Sequence, residues 1–247
     1  GTLKVMTIAI DIRLLSRGGF SGIEEYTREL VTHCIKIGAE HRFLLFYNGF
    51  RRTPLPAAWR AAPNVTILER RIPNRILDAA GRFLHLPSAE AFFKADVLWS
   101  PHFNLLRTKK MPHVITFHDL SFLHHPQFFS RRQRIWHWMQ DYQREARRAA
   151  RIIAVSNFTR LDLVQLLGVP EEKISVIYSG VSSRFQQLSP DAIQRFRAIS
   201  HVPFPFILSL GALEPRKNVI AAIRAFALLK QDIRFRSMRL VIAGRPG

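Results

Sequence analysis

The sequence predicts a doubly wound α/β architecture built on a mainly parallel sheet. Three observations predict it: short β-branched runs alternate with helical patterns, the composition can bury a large core, and polar and glycine residues gather just after the strand segments. Strands are expected over 5–10, 42–47, 65–69, 97–100, 113–117, 152–155, 174–178, 206–210 and 240–243. Helices are expected near 22–37, 74–84, 130–149, 157–167 and 218–230. At 47% hydrophobic residues against 22% charged, with 19 Phe and 4 Trp, the chain is not of the disordered class.

The alternation breaks after the run ISVIY at 174–178. The polar, proline-containing stretch that follows places a domain boundary there. The expected organisation is a first domain over 1–190, a linker over 191–204 and a second domain opening at 205. Only one βαβ unit of that second domain lies within the 247 residues. About 40 residues do not build a doubly wound domain, so the chain reads as truncated within its second domain and inactive by itself.

Lys and Arg number 37 against 18 Asp and Glu, a formal net charge of +19. Such a field favours polyanions: nucleic acid, anionic lipid headgroups or diphosphate-bearing substrates. A generally basic composition with no polyanionic partner is the plain alternative. The single cysteine, Cys34, excludes an intrachain disulfide and a multi-cysteine metal site. It recurs at helical spacing with Ile23, Tyr26, Leu30 and Ile37, which reads as packing rather than a nucleophile. The first residues are too short and strand-like for a secretory signal, and no run approaches the roughly 20 apolar residues of a membrane span. The expected compartment is the cytoplasm.

In a doubly wound sheet, ligands bind beyond the carboxyl ends of the strands. After 5–10 come Gly18, Gly19 and Gly22, a loop entering a helix, suited to a diphosphate or simply to a tight turn. His102 follows 97–100, and His118 and Asp119 follow 113–117, where they face a substrate or solvent. Ser156 follows 152–155 and doubles as an ordinary helix cap. After 206–210 comes GALEPRKN, in which Arg216 and Lys217 stand beside the start of a helix that Asn218 can cap. Cations there oppose the helix dipole, and a local rule broken in this way reads as a binding place for a nucleotide diphosphate, the alternative being a solvated surface pair.

Six segments in order carry a resemblance to a known family: SGIEEYTREL, DVLWSPHFNLL, HVITFHDLSFLHHP, AARIIAVSNFTR, ISVIYSGV and LSLGALEPRKN. Together they resemble family 4 retaining glycosyltransferases, whose GT-B fold pairs two Rossmann-like domains. The resemblance implies transfer of a sugar, with mannose a candidate, from a nucleotide-diphosphate sugar donor to a sugar or lipid-linked sugar acceptor. Configuration would be retained, in polysaccharide or glycolipid assembly. It implies that His118 lines the reaction centre, that Gly18, Gly19 and Gly22 approach the donor diphosphate, and that Arg216 and Lys217 neutralise the departing diphosphate. His102, Asp119 and Ser156 are candidate acceptor or sugar contacts. No metal and no cofactor are implied, because the cations take the role Mg²⁺ has elsewhere. The chain departs from many relatives in having Glu24-Glu25 where they carry Gly-Arg or Gly-Gly, and Ala212 where some carry an arginine.

Residues 131–151 hold seven arginines against Asp141 and Glu145, a net +5. Ile135, Trp138, Met139, Tyr142, Ala146 and Ala149 recur at helical spacing as the packed stripe, with Trp136 elsewhere. The basic face is either solvated or docked on an anionic membrane, peripherally on its inner face, with 70–86 assisting. Rival readings are a nucleotide-sugar epimerase or phosphorylase-like enzyme on the same fold, and a basic polyanion-binding protein. A nucleic-acid partner is not expected, since neither a stacking platform nor a recognition-helix motif is present.

Overall fold

The computed structural model describes residues 4–18, 21–50, 53–182, 184–200 and 204–244. The chain divides into two compact units, Gly1–Gly180 and Val181–Gly247. In the first unit, seven parallel strands form one sheet: β1 (Thr7–Asp11), β2 (Arg42–Asn48), β3 (Val65–Arg70), β4 (Val97–Ser100), β5 (His113–Phe117), β6 (Arg151–Ala154) and β7 (Ile174–Val176). Their order is β3-β2-β1-β4-β5-β6-β7, so the winding reverses between β1 and β4. Helices α1 (Gly22–Ile37), α2 (Ala57–Ala61), α3 (Asn74–Ala79), α4 (Ser121–His124), α5 (Arg131–Met139), α6 (Tyr142–Arg148) and α7 (Asn157–Leu167) complete it.

Both faces of the sheet are buried, which is why its strands read as nearly continuous apolar runs. Along β2, Phe43, Leu45 and Tyr47 join Val31 and Ile35 of α1 in one cluster. Phe46, one residue out of phase, joins Ala9, Leu98 and Phe93 on the opposite side. A third cluster packs Ile115, Phe117, Ile152 and Ala154 under Leu163 and Leu167 of α7. Cys34 is part-buried against the α1 cluster, and burial pushes its thiol pKa up, as expected of a packing residue.

Local sequence explains the helix ends. Ser21 caps α1 through a reciprocal box in which its Oγ accepts from the Glu24 amide and the Glu24 carboxylate accepts from the Ser21 amide. Ser156 caps α7, accepting from the Thr159 amide at 3.1 Å. Gly168 closes that helix in the left-handed conformation, at φ 64°.

Four expectations are corrected. The first strand runs on to Asp11, only 1% exposed, because Arg13 neutralises that carboxylate inside the protein. The single helix expected over 130–149 is two. Asp141 breaks it with a left-handed backbone (φ 50°), and its carboxylate bridges Arg82 at 2.8 Å and Arg107 at 2.6 Å. The break changes the phase of the apolar stripe: Ile135 and Trp138 point outward at 62% and 53% exposure, while Trp136 packs on the core. Finally, 191–204 is not a featureless linker. It carries most of α8 (Pro190–Ile199), capped by Ser189, within a second unit that begins ten residues before the expected boundary.

The second unit pairs β8 (Phe206–Leu210) with β9 (Arg239–Ala243) in parallel, with α9 (Val219–Leu229) between them in sequence. Glycine is required where the two strands end. A Cβ on Gly244 would lie 1.7 Å from the Gly211 carbonyl oxygen.

A buried imidazole sets an acid limit. His113 Nε2 lies 2.9 Å from Ser100 Oγ, and burial pushes its pKa down to about 4. Native His113 thus stays neutral where the unfolded imidazole takes up a proton below about 6.5. Its contribution to stability is complete above that pH and is lost as pH falls toward 4. Denaturant unfolding followed from pH 7 to 4 is expected to fall in stability, with His113→Gln reducing the slope by about one proton, ~1.4 kcal/mol per pH unit. Identical slopes in parent and variant would show that His113 titrates in place.

Candidate active site

The reversal between β1 and β4 is where a doubly wound sheet opens a crevice. The turn after β1 is held by Arg13, whose Nε and Nη2 donate to Asp11 Oδ1 at 2.9 Å and Oδ2 at 2.7 Å. Its Nη2 also donates to the Leu105 carbonyl at 3.2 Å, tying this turn to the loop after β4. The peptide of Leu105 is used twice, since its amide donates to Gln140 Oε1 at 2.7 Å. Gln140 is the residue that follows α5, so the helix is anchored over the crevice.

One turn earlier on α5, Trp136 stacks on His102, with ring centroids 5.7 Å apart and planes 11° apart. The Arg17 guanidinium lies over the same indole at 4.9 Å. His102 is 6% exposed, and its Nδ1 is buried without a hydrogen-bond partner. Burial, then the neighbouring His118, Arg17 and His137, hold its pKa well below the usual imidazole range. His102 is therefore neutral and forms part of the wall. Arg17 is exposed and has no ion pair among the described residues.

His118 stands at the end of β5. Its Nε2 donates to the Pro101 carbonyl at 2.8 Å, which leaves Nδ1 with the lone pair. Tyr26 of α1 meets the ring edge-on at 4.8 Å, and the His118 carbonyl accepts from Thr159 Oγ1 at 3.1 Å. Burial lowers its pKa, so the neutral ring is the resting form. The ring can accept a proton or a hydroxyl hydrogen bond through Nδ1 while Nε2 fixes its orientation.

The other expected residues take different places. Asp119 is exposed, but its carboxylate accepts from the Ser121 amide and hydroxyl at 3.0 and 2.6 Å, turning the chain into α4. Ser156 is committed to capping α7. Gly18 needs its left-handed φ of 67°, whereas a Cβ on Gly22 would meet nothing within 4 Å. Packing therefore does not demand glycine at 22. Gly19 lies outside the described residues. Glu24 spends its charge on the cap, which weakens this helix end as an anion site and shifts the positive character of the crevice onto Arg17.

A family model described as Glycosyltransferase Family 4 matches residues 20–185, which takes in the crevice elements of the first unit except β1 and the turn after it. The chain belongs to glycosyltransferase family 4. It is 28% identical over 186 residues to O-antigen chain mannosyltransferase B of Escherichia coli, which covers 72% of this chain and 46% of that protein. The chain thus spans about half the length of that relative. Over 94 residues it is 31% identical to serotype-specific mannosyltransferase WbdA of Escherichia coli, covering 37% of this chain and 12% of that protein. Among solved structures, Anabaena Alr3699/HepE in complex with UDP and glucose matches with a TM-score of 0.60 at 16% identity, over 98% of this chain and 62% of that one. The same protein in complex with UDP-glucose matches with a TM-score of 0.57 at 17% identity, over 98% and 70%. The fold is of the GT-B type.

In the second unit of this family 4 chain, Arg216 and Lys217 belong to a separate tight turn, Pro215–Lys217, before α9. Asn218 takes a left-handed backbone (φ 47°) and makes no side-chain cap, contrary to expectation. The first turn of α9 therefore keeps its amides without a capping side chain, next to two cations. Arg216 has only a loose contact with Glu214, at 3.4 Å, both side chains being 40% exposed. Lys217 folds over the Gly211 turn.

Arg17, Trp136 and the Asp11–Arg13 pair are the parts that sequence reasoning did not single out. If the indole is what keeps His102 dry, Trp136→Ala is expected to let His102 titrate close to about 6.5, while the parent imidazole stays neutral well below that pH. An NMR titration of the imidazole signals reads this directly. Parent and variant titrating together would remove the stack from the site.

Proposed function

We propose that this chain supplies the acceptor-side domain, and the opening of the donor-side domain, of a retaining glycosyltransferase. It moves mannose from a nucleotide-diphosphate sugar to a sugar or lipid-linked sugar acceptor in polysaccharide assembly. The observation that carries the reading is His118, whose ring is pinned by Pro101 beside the β1/β4 crevice with Nδ1 left to act. The mannosyltransferases among its relatives support the choice of sugar.

Each part of the reaction has a group of suitable chemistry. The bond from the anomeric carbon to the diphosphate breaks as the acceptor oxygen attacks from the same face; negative charge grows on the departing phosphate, whose oxygen takes the acceptor hydroxyl's proton. Arg216 and Lys217 neutralise that charge, together with the uncapped amides of α9. His118 contacts the transferred sugar, held in one orientation by Pro101. Gly18 and Gly22 let the loop approach the diphosphate. His102 forms part of the wall behind the acceptor, with Asp119 and Ser156 at the border of the acceptor site. The enzyme works without a metal, at the cytoplasmic surface of an anionic membrane.

In the intact protein, Arg216→Ala and Lys217→Ala are each expected to lower turnover at least about a hundredfold, the scale of losing one donor to a developing oxyanion. His118→Ala is expected to lower turnover rather than donor affinity. Steady-state transfer from GDP- and UDP-sugars measures both. Near-parental turnover in the two cation variants would return Arg216 and Lys217 to the solvated surface. A pure affinity loss in His118→Ala would make it a binding residue only.

A further inference from the structure

The outward face left by the break at Asp141 is not an ordinary solvated surface. Ile135 and Trp138 are 62% and 53% exposed on α5, and Phe83 and Leu84, at the end of the segment following α3, are 63% and 70% exposed. These two segments meet. The Phe83 and Trp138 rings are 6.1 Å apart, and the Arg82 guanidinium lies over the Trp138 indole at 4.9 Å. Beside them a shallow apolar groove runs along α3, with Ile76 on its wall at 61% exposure. Large apolar side chains contiguous on a surface mark a binding face rather than scattered exposure.

The charges around this patch identify what it fits. On α5, Arg131, Arg134, Ile135 and Trp138 follow the 3–4-residue spacing of a single stripe, so the two arginines continue the apolar line. Arg75 borders the groove on α3. These three arginines are exposed. Two of the arginines further along take other duties: Arg147 donates to the Leu167 carbonyl at 2.8 Å, and Arg151 to that of Glu172 at 2.6 Å. The beginning of the basic face expected over 131–151 thus adjoins the apolar patch, beside part of the 70–86 stretch expected to assist it.

Aromatic and aliphatic side chains that protrude within a ring of arginines suit the headgroup region of an anionic bilayer. The rings enter the acyl boundary, Trp at the interface, while guanidinium groups stay with the phosphates. We propose that the patch formed by Ile76, Phe83, Leu84, Ile135 and Trp138, flanked by Arg75, Arg131 and Arg134, seats the protein on an anionic lipid surface. This inference rests on the membrane-side reading proposed above and assigns its surface; vesicle binding can fail while transfer to a soluble acceptor persists, and the reverse, so the two are told apart.

The test is partitioning of the intact protein onto vesicles of phosphatidylethanolamine with phosphatidylglycerol, against phosphatidylcholine alone. At least about tenfold stronger binding to the anionic vesicles is expected, weakening steeply between 0.1 and 0.5 M salt as screening lengths shorten. Phe83→Ser with Trp138→Ser, and separately Arg75→Gln with Arg131→Gln and Arg134→Gln, should each lower the partition coefficient about tenfold or more. All five positions are exposed, and parental circular dichroism and melting will confirm that the fold survives. Brominated acyl chains should quench the parent's fluorescence and not that of Trp138→Phe. Equal partitioning of parent and variants, no binding by the parent, or binding indifferent to lipid charge would each overturn the proposal. So would a parent dimer that the apolar variant splits without loss of vesicle binding, since the patch would then be a protein interface.

Discussion

The buried ion pair between Asp11 and Arg13 is the interaction on which the rest of the crevice depends. A carboxylate at the buried end of a central strand costs several kcal/mol to desolvate, and only near-ideal geometry offsets that cost. Arg13 provides it through a two-pronged contact, with its own amide donating to Asp11 Oδ1 at 3.1 Å as a third bond. The guanidinium's further contact with the Leu105 carbonyl passes the constraint on, because the Leu105 amide fixes Gln140 and hence the end of α5. Gln140 in turn donates to Asp78 of α3 at 3.2 Å. One polar chain thus joins the first strand, the loop after β4 and two helices.

What this frame positions is an orientation of rings. With α5 fixed, Trp136 covers His102 and also meets the Arg17 guanidinium. The loop after β4 offers the Pro101 carbonyl to His118, and the capped start of α7 holds the His118 peptide through Thr159. The same helix placement turns Trp138 outward against Phe83. A protein carrying +19 therefore does not present its charge uniformly. Arg13 and Arg107 are internal braces, Arg17 lies at the crevice, and Arg131 and Arg134 lie on the outer stripe.

Much of the frame was legible because it is local. The strands over 97–100, 113–117 and 206–210 and the helix over 157–167 fall where periodicity and caps put them, and His118 was found from its position at a strand end. The break at Asp141 was not legible, because its left-handed backbone is held by Arg82 and Arg107, which are distant in sequence. An uninterrupted helix put Trp136 outside, and only the break reveals it as packed. Asn218 looked like a cap, yet its backbone turns left-handed and leaves its side chain out of reach. Arg17 was hidden by number: among 37 basic residues, nothing in the chain marks the one that stacks on a distant indole. Asp11 and Arg13 did leave a signal, two opposite charges two residues apart at the end of an apolar strand, which polarity alone assigns to a loop.

The most direct measurement of this account is denaturant unfolding together with sugar transfer in the intact protein, for Arg13→Met, Asp11→Leu and the two combined. Removing one partner leaves a buried charge unpaired, so each single variant should lose about 3–5 kcal/mol. The combined variant, with no charge left to desolvate, should regain most of that stability. Its transfer rate should nevertheless remain at least about tenfold below the parent's, on the scale of a small misplacement of reacting groups, because nothing then holds Leu105 and α5 in register. Parental stability and transfer in Arg13→Met, or full recovery of transfer in the combined variant, would contradict the claim that this pair builds the site.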